Sequence, residues 1–159
     1  IVNMILSAGS DPNVLYRCAP HFTNDVWSAL YLAVSAQKRD SAAIADALLK
    51  AGADTNGPKY QGRNAIEWAI GKGHRSLWPI LLRGGAIIPT ESDHYDESEW
   101  ATCLAHPYLQ KIDAAGGWKA YEKAHRTKLL ATFVPKFTHL VPPELVPLIV
   151  EFSFHIGFY

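Results

Sequence analysis

The sequence has few of the features that define the specialised classes of protein. Only Cys18 and Cys103 are cysteines among 159 residues, too few for a disulfide framework or a four-cysteine zinc site. No run approaches the about 18 to 20 apolar residues that span a bilayer, and the first residues lack the basic-then-apolar pattern of a signal peptide. The 15 basic and 15 acidic residues balance, which excludes a general attraction to nucleic acid or anionic lipid.

What is present is the composition of a folded domain. The chain is 48% hydrophobic, as globular proteins are, and its length favours one core or one elongated stack. The pattern of its first residues is typical of the interior of a structural element, not of its start. We therefore expect either that more chain precedes Ile1 or that a partner covers this end.

Three segments repeat one pattern in which a helix end is followed by glycine and turn residues. They begin at Ile5, Leu48 and Leu81 with the letters ILSAGSDPN, LLKAGADTN and LLRGGAIIP, at spacings of 43 and 33 residues. Glycine takes the left-handed conformation that closes a helix, and Asp and Asn favour turns. The pattern predicts three helix ends at equivalent places.

A second block recurs upstream of the later two segments, as SALYLA from Ser28 and NAIEWA from Asn64, 36 residues apart. Serine and asparagine are good N-caps, so a helix is predicted after each. Three positions apart, Leu30 with Ala33 and Ile66 with Ala69 place an apolar and a small residue on one helix face. Small residues there allow close approach of a neighbouring helix.

These blocks together resemble ankyrin repeats over residues 1–89. The resemblance implies an all-α, helix-turn-helix stack of about two and a half repeats. Ten extra residues separate the first two helix ends, and those between Asn13 and Ser28 should lengthen the hairpin of that repeat. The sequence departs from the family at Ala29, Ala65, Tyr31, Glu67 and Pro79, the last of which interrupts a second helix.

The resemblance also implies where a partner protein would bind. In ankyrin repeats the contacts come from the hairpin tips and the exposed end of each first helix. These places hold Asn24, Asp25, Trp27, Ser35, Tyr60, Gln61, Arg63 and Lys72. Trp27 has an alternative interpretation as a residue that fixes the inserted hairpin, whereas most of Trp68, Trp78, Trp100 and Trp118 are expected in cores or in packing between elements.

The C-terminal third follows a different pattern. Residues 90–106 form an acidic connector, in which residues 90–99 hold five acids and no base, as suits a solvated segment or a first helical turn. Residues 107–159 are predicted to be a three-helix extension. Its helices run from Tyr108 to Ala115, from Trp118 to about Val134, where Pro135 should end the helix, and from about Glu144.

Both faces of the last predicted helix are apolar. We expect Leu145, Ile149 and Phe152 to face the preceding helices, which leaves Val146, Val150 and Phe154 as candidate partner-binding residues. The segment from Val141 to Phe152 also resembles the start of an F-box and, less closely, the end of a SOCS box. That resemblance implies a ubiquitin-ligase adaptor.

No residue pattern specifies a reaction. The loop from Gly57 to Asn64 has the glycine spacing of a phosphate-binding loop but lacks its lysine, and Cys103 with His106 falls short of a four-ligand zinc site. We therefore expect no enzyme activity, cofactor or metal. The sequence predicts a protein-protein interaction module in a larger protein or hetero-assembly, without nucleic-acid binding or a membrane span. A ligase adaptor and a structural accessory subunit are the alternatives.

Overall fold

The computed structural model describes residues 2–17, 26–36, 38–59, 62–91, 96–137 and 140–155, with the backbone alone for 151–155. This part of the chain is mostly helical, with nine α-helices and one two-stranded sheet. The chain is therefore of the predicted all-α class. It divides into two compact units, residues 1–104 and 105–159.

Unit 1 is a series of short helices with one β-hairpin. Its elements are α1 (Val2–Ser7), β1 (Leu15–Arg17), β2 (Val26–Ser28), α2 (Ala29–Ser35), α3 (Ser41–Lys50), α4 (Ala65–Gly71), a 3-10 helix (Arg75–Leu77), α5 (Trp78–Arg83) and α6 (Glu97–Leu104). The strands pair antiparallel, with Tyr16 opposite Trp27. This pairing confirms the hairpin that the insertion predicts.

The helices of unit 1 lie in two layers. Helix α2 packs on α3 and α4 on α5, while α2 also contacts α4 and α3 contacts α5. Helix α6 extends the first layer by packing on α4, and α1 extends the second by packing on α3. Apolar side chains fill the space between the layers, among them Leu30, Ala33, Val34, Ala45, Leu48, Ile66, Ala69, Ile70, Leu77, Leu81 and Leu82. The predicted apolar-plus-small faces of α2 and α4 are thus confirmed as buried.

The two predicted N-caps are also confirmed. The Ser28 hydroxyl accepts a hydrogen bond from the Tyr31 N–H at 3.1 Å. The Asn64 Oδ1 accepts one from the Glu67 N–H, and the Glu67 carboxylate accepts one from the Asn64 N–H, both at 2.9 Å. This reciprocal pair is a capping box. Glu67 is only 1% exposed, and the capping box provides its buried carboxylate with a hydrogen-bond partner.

One asparagine bridges each pair of successive loops. Asn13 Nδ2 donates to the Gly52 carbonyl at 3.0 Å, and Asn13 Oδ1 accepts from the Asp54 N–H at 2.8 Å. Asn56 makes the same two bonds one loop further on, to the Gly85 carbonyl at 3.0 Å and from the Ile87 N–H at 3.1 Å. The repeat seen in the sequence is therefore also a repeat of hydrogen bonds.

The loop after α5 packs closely against the preceding repeat. A Cβ added at Gly84 would lie 2.9 Å from side-chain carbons of Leu49 and Thr55. The next residue, Gly85, has a φ of 95°, so it takes the left-handed conformation expected of this position. Both glycines are thus required by local geometry, the first for space and the second for its backbone angle.

Pro79 interrupts its helix less than expected, because the helix begins beside it. The 3-10 turn Arg75–Leu77 comes first, and Pro79 then lies in the opening turn of α5, where no intrahelical partner is needed for its missing N–H. Trp78 is buried and its indole N–H donates to the Ala69 carbonyl at 3.0 Å. This bond ties the start of α5 to α4.

The acidic segment contains the start of a helix. Helix α6 begins at Glu97, and the Asp96 carboxylate accepts hydrogen bonds from the Ser98 hydroxyl at 2.6 Å and the Glu99 N–H at 2.8 Å. These bonds hold the pKa of Asp96 below its usual range. Trp100, the buried residue of α6, donates its indole N–H to the Pro89 carbonyl at 3.1 Å.

Unit 2 consists, in its described part, of α7 (Pro107–Ala114), α8 (Trp118–Phe137) and α9 (Leu145–His155), with α8 in contact with both others. Pro135 does not end α8 as predicted, since the helix continues to Phe137. Proline removes one N–H and crowds the preceding turn. Only two helical residues follow Pro135, so the disturbance is confined to the last turn.

The orientation predicted for α9 is wrong. Val146 and Val150 are 1% and 2% exposed, whereas Leu145, Leu148 and Ile149 are all more than 40% exposed. Residues four apart lie on one face of a helix, and in α9 the face that packs inward is the valine face. Val146 and Val150 are therefore core residues and not candidates for partner binding. The Phe154 side chain lies outside the described part.

Candidate protein-binding surface

Helices α2 and α4 turn equivalent residues away from the core. Leu32 is the fourth residue after the cap Ser28, and Trp68 is the fourth after the cap Asn64. Leu32 is 39% exposed, and Trp68 is half-buried. We use the name α2–α4 surface for these two residues together with the predicted site residues that lie in α2 or within two residues of α2 or α4 in the sequence. The set is Trp27, Leu32, Ser35, Arg63, Trp68 and Lys72.

The indole of Trp68 is the centre of this surface. The Arg63 guanidinium carbon lies 5.2 Å from the Trp68 ring centroid, and the Lys72 ammonium nitrogen lies 5.4 Å from it. Tyr31, which is buried, packs edge-on against the same ring at 5.6 Å between centroids. The structure therefore brings two of the residues predicted from the sequence, Arg63 and Lys72, together on one aromatic ring.

Trp27 lies in β2 of the hairpin, directly before α2 in the sequence. It is half-buried in β2 and pairs across the ladder with Tyr16, with ring centroids 6.3 Å apart. Cross-strand aromatic pairs stabilise a hairpin, which supports the interpretation of Trp27 as the residue that fixes the insertion. Val14, Leu15 and Tyr16 are exposed, so the hairpin presents apolar side chains to solvent.

The remaining predicted site residues are less informative. Ser35 is half-buried in the last turn of α2, and its hydroxyl donates to the Leu32 carbonyl at 3.3 Å. The other four predicted residues of unit 1, Asn24, Asp25, Tyr60 and Gln61, lie outside the described residues. The described surface is thus defined by the two helices and β2, without the hairpin tips.

Comparisons of the chain with protein-family models, with curated proteins and with solved structures gave no match. The ankyrin assignment therefore stays a prediction that depends on the sequence pattern. Across the described residues, no helix combines the length and apolar character that crossing a membrane requires.

Trp68 packs between elements as expected, with its ring against Tyr31 of α2, but the sequence interpretation did not single out Trp68 or Leu32 as partly exposed residues. The apolar pattern of the repeat nevertheless predicts partial exposure of Trp68. The inward face of α4 is already filled by Ile66, Ala69 and Ile70. At helical spacing, position 68 lies on the opposite side of the helix from these three residues. A large aromatic at that position is therefore partly exposed.

A second group of aromatic residues lies in unit 2. Tyr121 stacks on His125 with an interplanar angle of 14°, and it also packs against Tyr108 and Trp118. Burial lowers the pKa of the His125 imidazole, helped by the positive charges of Lys128 and Lys111. Burial also raises the pKa of the Tyr121 hydroxyl. Both shifts favour the uncharged forms, as suits side chains that pack between helices α7 and α8.

Proposed function

We propose that unit 1 is an ankyrin-type stack that binds a partner protein through the α2–α4 surface, and that the chain acts without catalysis as an interaction module in a larger assembly. The observation that carries the proposal is the convergence of Arg63 and Lys72 on the half-buried Trp68 ring. Tryptophan and arginine are enriched among the residues that dominate binding energy at protein interfaces.

The arrangement of the helices supports the stack. Helix pairs α2–α3 and α4–α5 pack side by side in two layers, and Asn13 and Asn56 join consecutive loops with the same two hydrogen bonds. Stability in repeat proteins comes largely from such contacts between neighbours. A stack of this kind presents the outward sides of its first helices as a continuous surface.

The proposal is tested with a partner identified by co-purification and mass spectrometry. Leu32→Asp places a charge at an exposed apolar position of α2, and it should weaken binding by more than about 1 kcal/mol, roughly fivefold, in isothermal titration calorimetry. The control is Lys50→Ala on α3, where Lys50 forms an exposed ion pair with Asp46. Equal affinity of both variants for the partner would show that binding occurs elsewhere.

A second proposal, a ubiquitin-ligase adaptor, is favoured by one observation in unit 2. The segment that resembles an F-box opening exposes Leu145, Leu148 and Ile149. Leu148→Asp should leave the unit folded and abolish co-purification of cullin-like or elongin-like proteins. Recovery of these proteins with the variant, or their absence with the wild type, would contradict the adaptor function.

A further inference from the structure

We infer that the N-terminal end of unit 1 is an interface for one more repeat of the same kind, whose first helix packs on α1 and whose loop supplies an asparagine to Gly9 and Asp11. The interface is made by α1 and the loop that follows it, residues 2–13, and we call it the α1 end. It shares no residue with the α2–α4 surface, so the two interfaces can be tested separately.

Helix α1 is equivalent to α3 and α5 in structure as well as in sequence. The glycine that closes each of these helices has a φ between 87° and 95°, at Gly9, Gly52 and Gly85. The N–H of the residue after each glycine donates to the carbonyl of the residue five positions earlier, which is Ile5, Leu48 or Leu81. These three apolar residues therefore occupy one and the same position of the repeat.

The inner face of α1 is uncovered, whereas the inner faces of α3 and α5 are covered. Leu48 is 4% exposed and Leu81 is 0% exposed, because α3 packs on α2 and α5 packs on α4. Ile5 has the equivalent position in α1 and is 52% exposed. Removing a large apolar side chain from water is favourable. The α1 end therefore favours a covering helix of the α2 and α4 type.

The loop after α1 presents the two backbone groups that an asparagine bridges elsewhere in unit 1. Asn13 and Asn56 each donate to the carbonyl of the helix-closing glycine in the next loop and accept from the N–H two residues further on. The equivalent groups after α1 are the Gly9 carbonyl and the Asp11 N–H. Within the described residues, neither group makes a hydrogen bond. An asparagine from a preceding loop would bond to both.

A repeat that leads into α1 along the backbone supplies both the helix and the asparagine. Elsewhere in unit 1, a first helix is joined to the helix that follows by five residues, 36–40, or by three, 72–74, and so short a link keeps the entropic cost of closure low. A second copy of the chain does not supply the asparagine. At the other end of unit 1 the position equivalent to Asn13 and Asn56 holds Pro89, which has no side-chain amide.

A fused chain tests the interface. A copy of residues 41–76 is placed directly before Ile1, and because Ile1 is equivalent to Leu77, the copied α4 then precedes α1 at the spacing at which α4 precedes α5. The Asp11 amide should exchange about tenfold or more slowly than in the unfused chain. The urea midpoint should rise, since contacts between neighbours stabilise repeats. Lys50→Ala within the copy is the matched control and should change neither result.

Two substitutions assign these effects to named contacts. Asn56→Ala within the copy should return Asp11 exchange to its rate in the unfused chain. Ile5→Asp should change the urea midpoint little in the unfused chain, where Ile5 is exposed, and lower it clearly in the fused chain, where the copied α4 covers this position. Asp11 exchange that is unchanged by fusion, or an equal effect of Ile5→Asp in both chains, would overturn the inference.

Other occupants of the α1 end give different results. Sedimentation velocity should show the unfused chain as a monomer, and a dimer that Ile5→Asp dissociates would assign the α1 end to a second copy. Peptide mapping of the protein purified from the cells that make it should find an asparagine 33 or 43 residues before Asn13, which are the spacings of the repeat. A native chain that starts at Ile1 would overturn the backbone-linked repeat.

Discussion

Replacing Asn56 with alanine removes one complete bridge between loops. The two bridging bonds lost are the one from Asn56 Nδ2 to the Gly85 carbonyl and the one from the Ile87 N–H to Asn56 Oδ1, and a longer local bond from Asn56 Nδ2 to the Thr55 hydroxyl is lost with them. Each such bond contributes about 0.5 to 1.5 kcal/mol net. Gly85 and Ile87 are exposed, so water replaces the lost partner. We therefore expect Asn56→Ala to lower the free energy of unfolding by about 1 to 2 kcal/mol.

Urea denaturation followed by circular dichroism measures this change, and amide hydrogen exchange locates it. Asn56→Ala should speed exchange of the Ile87 amide and leave that of Asp54 slow, whereas Asn13→Ala should do the reverse. Lys50→Ala is the control, with an expected change below about 0.5 kcal/mol because an exposed ion pair contributes little. An unchanged unfolding midpoint, or Ile87 exchange as slow as in the wild type, would falsify the bridging role.

Three further predictions concern packing and pH. Gly84→Ala should destabilise unit 1 by about 1 to 3 kcal/mol because its Cβ has no space, while Gly57→Ala, whose Cβ would lie no closer than 3.4 Å to its neighbours, should cost less in the same urea titration. Val146→Asp should unfold unit 2 in thermal melts, and Leu148→Asp should not, since only the valine is buried. Because the pKa of His125 is lowered in the folded state, the unfolded chain binds the proton first, so stability should fall as pH drops below about 6.5. His125→Gln should remove that fall, and an identical pH profile for the variant would contradict the assignment.

The local features of unit 1 were predictable because each follows from a single residue type at a fixed place. The caps Ser28 and Asn64 and the helix-closing glycines depend on short-range geometry alone. The repeat also identified Asn13 and Asn56 as equivalent turn residues. It did not identify their bonds to the next loop, because those bonds depend on how far apart successive repeats lie.

The proposed α2–α4 surface was only partly predictable for the same reason. The resemblance to ankyrin repeats implies Arg63 and Lys72 as surface residues, but it does not give the Trp68 ring that both of them approach. Tryptophan is so often buried that composition argues for a core position. What decides otherwise is the filling of the inward face of α4 by Ile66, Ala69 and Ile70, which leaves the indole of Trp68 no room there.

Helix α9 shows why an apolar pattern alone does not give an orientation. Its sequence has two apolar faces, so helical periodicity defines two candidate interfaces and does not choose between them. The choice depends on which face fits α8, and that is a property of both helices. The structure buries Val146 and Val150 and exposes Leu145, Leu148 and Ile149. Any docking role of this helix therefore belongs to the leucine face, and substitutions on the valine face would report folding instead of binding.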